Sequence, residues 1–315
     1  MMHFPKTIDE AVALLSSTTE LRAGGTDWLE RHDLGLVRPE LVELRDVAGL
    51  DGIEQVDEGL RIGSRVTLRA LLSDPRTAAY PALRLAASTL ATPQIRALAT
   101  LGGSLLQRSR CWYYRSVEHR CLKSGGDRCF ARTGDHLLHA CFDLGPCVAP
   151  HPSTVGLALS TYDAHVEVVG VAGATTRSLA EIFGDGSDAR DHRLADGELL
   201  SAVILPAPVL DERGGYFRAT SRAAAEWPLV EVAVRLVLDS EVIRLARVAL
   251  GGVAPIPLRV PRAEALLEGT RGDEAFAAAG AVAAEGASPL PMTRYKVAII
   301  PGAVHEALTR ALGGA

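Results

Sequence analysis

Ala23-Gly24-Gly25-Thr26-Asp27 and Thr100-Leu101-Gly102-Gly103-Ser104 carry the same signal twice, an apolar stretch running into a Gly-Gly turn. Glycine lets an anion come close to the main chain, and successive N–H groups in such a turn form a nest that attracts phosphate. Two nests could grip the two ends of one pyrophosphate. Gly-Gly also simply makes turns, so either pair alone says little. Neither the G-x-G-x-x-G fingerprint nor a P-loop occurs, so a dinucleotide would bind outside both schemes.

Around the first turn, Thr7 and Glu10 form a capping box, and Ile8, Ala11, Val12, Leu14 and Leu15 give one apolar helix face. With short strands at 21–23 and 41–44, this predicts a small β-α-β-type lobe over roughly the first 55 residues. Ahead of the second turn come a strand at 61–63, a helix capped by Thr67 and an amphipathic helix over 80–90. Beyond Pro150 a helix (155–160) and a strand (165–169) follow. The run Pro-Ala-Pro-Val-Leu-Asp-Glu-Arg-Gly at 206–214 reads as a linker. After it, strands at 229–238 and 242–250 flank a tight turn at Asp239-Ser240-Glu241. Helices are expected at 260–267, 273–284 and 303–312. The expected class is α+β, with two N-terminal lobes and a C-terminal α+β domain built on an antiparallel sheet.

The chain of 315 residues is 48% apolar and 23% charged, which is enough apolar material for two cores. Its net charge of −5 disfavours nucleic acid as a partner. No apolar run reaches the ~20 residues needed to span a bilayer, and the N-terminus lacks the apolar core of a secretory signal. The expectation is a cytoplasmic protein, although co-export with a signal-bearing partner would leave the same sequence.

All five cysteines fall within positions 111–147, in a polar stretch of little periodicity. Such clustering points to a shared centre rather than separate buried thiols. Disulfides are disfavoured in a cytoplasmic chain. Zinc remains open, although the C-x₂-C knuckles of structural zinc are missing. Thiolates in an irregular loop also suit a 4Fe-4S cluster.

The first glycine turn, Thr92-Pro-Gln-Ile-Arg96, the second turn, the run Arg247-Val-Ala-Leu-Gly-Gly-Val-Ala-Pro255 and Tyr295-Lys296 together resemble the FAD-binding subunit of the xanthine dehydrogenase and CO dehydrogenase group. The resemblance spans essentially the whole chain. It implies a two-lobed FAD-binding domain of the vanillyl-alcohol-oxidase (PCMH) type over 1–206, with lobes of about 1–55 and 56–206. A CO-dehydrogenase-flavoprotein-like domain over 207–315 would follow. FAD would lie between the lobes with its pyrophosphate on the two turns, held by Arg22, Ala23, Gly24, Gly25, Thr26, Asp27, Trp28, Thr100, Gly102, Gly103, Ser104, His151, Ser153 and Arg218. The chain departs from the family in having Ser104 for a common Asn, Thr154 for an Asp that follows His-Pro-Ser, and Arg218 for a lysine near the flavin.

The stretch from Cys111-Trp-Tyr-Tyr-Arg115 to Cys147-Val-Ala-Pro-His-Pro-Ser153 is similar to a narrower branch. In it, the flavin subunits of 4-hydroxybenzoyl-CoA reductase and of a bacterial aldehyde oxidoreductase carry an inserted 4Fe-4S loop, here about 108–150. Aligned on that branch, the ligands fall on Cys111, Cys121, Cys129 and Cys147, and Cys141 is a buried spare thiol. His136, His139 and His151 flank the loop and could donate to cluster sulfur or flavin.

The resemblance further implies a heterotrimer with a large molybdopterin-binding subunit and a small 2Fe-2S subunit, with room for a dimer of heterotrimers. This chain would relay electrons and hold no catalytic residue of its own. The competing classes are a self-sufficient flavoenzyme and a zinc-holding assembly protein.

Overall fold

The chain, seen in a computed structural model that describes residues 1–222 and 227–313, is built on three sheets. The first comprises β1 (Met2–His3), β2 (Thr19–Arg22) and β3 (Glu40–Glu43), all parallel in the order β1-β3-β2. Between them run α1 (Ile8–Ala13) and α2 (Trp28–Asp33). Thr7 starts α1, its hydroxyl accepting the Glu10 N–H at 3.1 Å. Ala11 and Val12 then pack on Val42, Leu44, Val47 and Leu50.

The second sheet is antiparallel, in the order β4-β5-β8-β6-β7: β4 (Ile53–Val56), β5 (Gly59–Gly63), β6 (His165–Gly170), β7 (Gly173–Ser178) and β8 (Leu199–Pro206). Its helices are α3 (Leu68–Ser73), α4 (Pro81–Ser88), α5 (Pro93–Leu98), α6 (Leu101–Leu105), α7 (Thr154–Ser160) and α8 (Leu179–Phe183). The cysteine segment lies between α6 and α7 without a regular strand or α-helix.

The third sheet is the expected antiparallel one, ordered β12-β11-β10-β9, with β9 (Glu212–Ala219), β10 (Val230–Asp239), β11 (Val242–Gly251) and β12 (Leu258–Arg259). β10 and β11 meet at the predicted turn, where Ser240 has φ 57°. Helices α9 (Pro261–Leu267), α10 (Asp273–Ala283) and α11 (Arg294–Ala311) cover one face, burying Val232, Val234, Leu236, Val248, Leu250, Ile300 and Val304 in one core. Among the described residues, no helix is long and apolar enough to cross a membrane.

Three local expectations differ from what forms. The run read as a linker already enters β9 at Glu212, where its Gly214 and the following Gly215 let α4 and α11 pack closely on the strand. The last helix begins at Arg294 instead of near 303, since Pro301 interrupts the periodic signal but is accommodated within α11. The second Gly-Gly pair is not a turn, and belongs to α6.

Candidate functional site

A cleft of about 1160 Å³, counting its open mouth, runs between the first and second sheets. Arg22, Ala23, Gly24, Gly25, Thr26, Asp27 and Trp28 line it, and so do Thr100, Gly102 and Gly103. Both glycine motifs thus face one cavity, though in different chemical states.

In the first motif the chain leaves β2, passes Gly25 at φ +72° and enters α2. Among the described residues, the N–H groups of Gly24, Gly25, Thr26, Asp27 and Trp28 donate to no other protein group. They belong to a turn and helix start that line the cavity, and such a run of unused donors suits an anion. Gly24 is required for another reason: a Cβ there would lie 1.9 Å from the Leu98 carbonyl oxygen, where the end of α5 presses on the turn.

In the second motif the N–H groups of Leu101 to Ser104 are all taken. Leu101 N–H donates to Val66 O and Gly102 N–H to Ser64 O, both at 2.8 Å. Gly103 N–H donates to the capping hydroxyl of Thr100 at 3.2 Å, and Ser104 N–H to Thr100 O at 2.8 Å. This motif therefore shapes the wall and offers no nest.

Ser104, His151, Ser153 and Arg218 do not line this cleft. Ser104 is buried in α6. Ser153 spends its hydroxyl capping α7, accepting Gly156 N–H at 2.9 Å. His151 is buried against Phe183, its Nδ1 accepting the Ser153 N–H, with burial pulling the ring down to about 4. Arg218 lies on β9 and donates to Thr89 O at 3.3 Å. Thr154 bonds Glu231 Oε2 at 2.8 Å, as does the Tyr216 hydroxyl at 2.7 Å, and burial raises that carboxyl. Ser64, Gln107, Arg108, His192, Asp196 and Glu198 also line the cleft. They are scattered over three segments with no motif spacing, so the sequence offers no sign of them.

Asp27 ties the cleft to the cysteine segment. Its Oδ1 accepts from Arg115 at 2.7 Å and lies 3.1 Å from Arg110, while Oδ2 accepts from Arg31 at 3.0 Å. Burial alone would raise this carboxyl, but Arg110, Arg115 and Arg31 hold it below the usual range.

Cys111, Cys121, Cys129 and Cys147 line a second, smaller cavity of about 280 Å³, again counting its open mouth, together with Tyr113, Tyr114, Leu122, Lys123, Phe130, Ala131 and Ala149. Backbone amides converge on the sulfurs: Tyr113 and Tyr114 on Cys111, Ala131, Arg132 and Val148 on Cys129, and Ala149 on Cys147. The Cys147 thiol bonds Cys129 and holds it down to about 5, its own proton being correspondingly harder to remove. Burial pushes Cys111 up to about 11. His139 Nε2 lies 3.1 Å from Cys111 Sγ, and burial keeps the ring neutral by pulling it down to about 4. Among the described residues, no three His, Cys, Asp or Glu side chains converge as they would on a single metal ion.

Cys141 stands apart. It is fully buried in the core under the third sheet, its N–H donating to Val253 O and its carbonyl accepting from Ser288. Lys296, also fully buried, bonds Leu138 O at 3.0 Å and Gly252 O at 2.7 Å. This half of the segment is thus fastened to β11 and α11, and the other half to the cleft through Asp27.

Residues 1–208 match the family described as the FAD binding domain in molybdopterin dehydrogenase, and residues 215–311 match the CO dehydrogenase flavoprotein C-terminal domain. The aldehyde oxidoreductase FAD-binding subunit PaoB of Escherichia coli is 36% identical over 253 residues, 78% of each chain. The carbon monoxide dehydrogenase medium chain of Afipia carboxidovorans is 27% identical over 319 residues, 98% of this chain and 95% of that one. Among solved structures, the cyanide-inactivated Cu,Mo-CO dehydrogenase matches with a TM-score of 0.78 at 24% identity, covering 100% of this chain and 98% of its own. The likeness in structure is one of fold.

Proposed function

The chain belongs to the family of FAD-binding subunits of molybdopterin dehydrogenases, and from that premise we propose that it is an electron relay carrying FAD in the larger cleft and a 4Fe-4S cluster in the four-cysteine cavity. The observation that carries this reading is the adjacency of two differently built cavities. One offers a run of free amides to an anion, and the other surrounds a small space with four sulfurs, three of them with amide donors. When bound, FAD exchanges one electron at a time with clusters and two with an external acceptor.

The chain's own residues have distinct parts in this. The amides of Gly24 to Trp28 hold the pyrophosphate, and the second motif shapes the facing wall. Cys111, Cys121, Cys129 and Cys147 each supply one thiolate, and His139 stands ready to donate to the Cys111 sulfur. A cubane takes each thiolate on a different iron, so its ligands surround a space instead of converging on one point. Four cysteine sulfurs lining one cavity suit such a cluster, as the resemblance to the branch with the inserted loop implies. Substrate chemistry would rest on a large molybdopterin subunit, with a small 2Fe-2S subunit between.

Purification from the native host tests the reading. Two co-purifying subunits with molybdenum, FAD released by acid precipitation, and iron with acid-labile sulfide are expected. Oxidation of substrate by the lone flavoprotein, or zinc in place of iron, would overturn it.

A further inference from the structure

One buried ion pair stands between the two cavities. Lys123, in the short turn after Cys121, lines the cysteine cavity with its side chain only 5% exposed. Its Nζ donates to Asp191 Oδ1 and to Ala189 O, both at 2.7 Å. Asp191 is buried behind it; its Oδ2 accepts the Ser109 N–H at 3.3 Å and lies 4.0 Å from Arg108 Nη1. Arg108 and the neighbouring His192 line the cleft. From cysteine sulfur to cleft the wall therefore reads Lys123, Asp191, then Arg108 and His192.

An ammonium is costly to bury unless it is paired, and the chain makes nearly all its positive charge from arginine, with lysine only at 6, 123 and 296. Arg132 also bears on Cys129 and Cys147, but it pairs with Asp143 and its side chain is 33% exposed, so water screens it. Of the residues that line the cavity, Lys123 is the basic one, and it is buried.

We propose that Lys123 is a positioning residue that sets the electron affinity of the four-cysteine site, with Asp191 holding it there and opposing part of its charge. This inference rests on the reading of that cavity as a 4Fe-4S site. Four thiolates around an iron–sulfide core carry net negative charge, and each added electron increases it. A positive charge at the wall in a low-dielectric setting stabilises the reduced form more than the oxidised one. Asp191 lies on the far side of the ammonium, so the pair presents its positive end to the cysteines.

The test is a potentiometric titration of the anaerobically purified full chain, read by low-temperature EPR for the cluster and by absorbance for the flavin in the same samples. Lys123→Met should make the cluster harder to reduce, changing the oxidised-to-reduced ratio at the wild-type midpoint on the order of tenfold. Asp191→Asn, which keeps the side chain's size, should move it the opposite way. The double variant should fall between Lys123→Met and wild type, and the flavin midpoint should stay put. Asp191→Asn and the double variant carry the test if Lys123→Met loses its iron. Clusters that titrate alike in all variants with full iron content would overturn the inference, whereas a wild-type chain without iron would overturn the reading beneath it.

Discussion

Two stretches that share a Gly-Gly pair, Ala23-Gly24-Gly25-Thr26 and Leu101-Gly102-Gly103-Ser104, end in opposite states beside the same cleft. The first follows a parallel strand whose hydrogen bonding stops at Arg22, so the amides beyond it find no partner before α2 is established. The second is preceded by Thr100, whose hydroxyl and carbonyl take the N–H groups of Gly103 and Ser104, and lies beside β5, whose loop takes the other two. A Gly-Gly pair therefore makes an anion site only when its neighbours leave the donors unused. What surrounds the motif decides its chemistry.

The largest effects should come from changes that break this asymmetry or remove the second cavity. Gly24→Ala places a methyl group on the Leu98 carbonyl and should abolish FAD retention, with a loss of stability of about 3 kcal/mol. Flavin per chain and the unfolding midpoint measure both, and a yellow, stable variant would show that the turn is not held as described. Cys121→Ser should remove essentially all iron while FAD remains, whereas Cys141→Ala should keep the iron and cost roughly 1–2 kcal/mol of packing. Iron loss with Cys141→Ala but not with Cys121→Ser would reverse the assignment.

Smaller effects sharpen the comparison. Gly103→Ala meets only the Thr100 hydroxyl, at 2.9 Å, and removes no free donor, so FAD should bind a few-fold more weakly, well short of the loss at Gly24. Flavin titration of the deflavinated chain decides this; equal losses at both motifs would mean that both hold the phosphates.

The smallest effect is one of pH. Burial pulls His151 down to about 4 from its ordinary value near 6.5, so the unfolded chain takes up this proton first as pH falls. Stability from the neutral ring is complete above about 6.5 and is lost progressively as pH drops toward 4. His151→Gln should flatten the fall in unfolding midpoint across that window, and an unchanged slope would contradict the assignment.

Much of the fold was legible because periodicity and caps agree locally. Thr7 and Thr67 start the helices they predict, and β10 and β11 meet at the turn read from Asp239-Ser240-Glu241. β7 was missed because it is an outward-facing hairpin arm of Thr, Arg and Ser with no apolar alternation. The cysteine set was legible as a cluster of residue types, and Cys141 was separable only by resemblance until its burial under the third sheet gave a physical reason. The polar residues that join the cavities were not legible. Asp27 meets Arg110 and Arg115, and Lys123 meets Asp191, across long stretches of chain, and such pairs have no local pattern.

The central claim is that one chain holds two redox groups in adjoining cavities. Iron, acid-labile sulfide and acid-released FAD, measured per chain on anaerobically purified full-length protein, test it most directly. The account predicts about four irons and four sulfides alongside one FAD, with an EPR signal on reduction by dithionite. A chain that carries FAD together with zinc, or FAD with no metal at all, would contradict it.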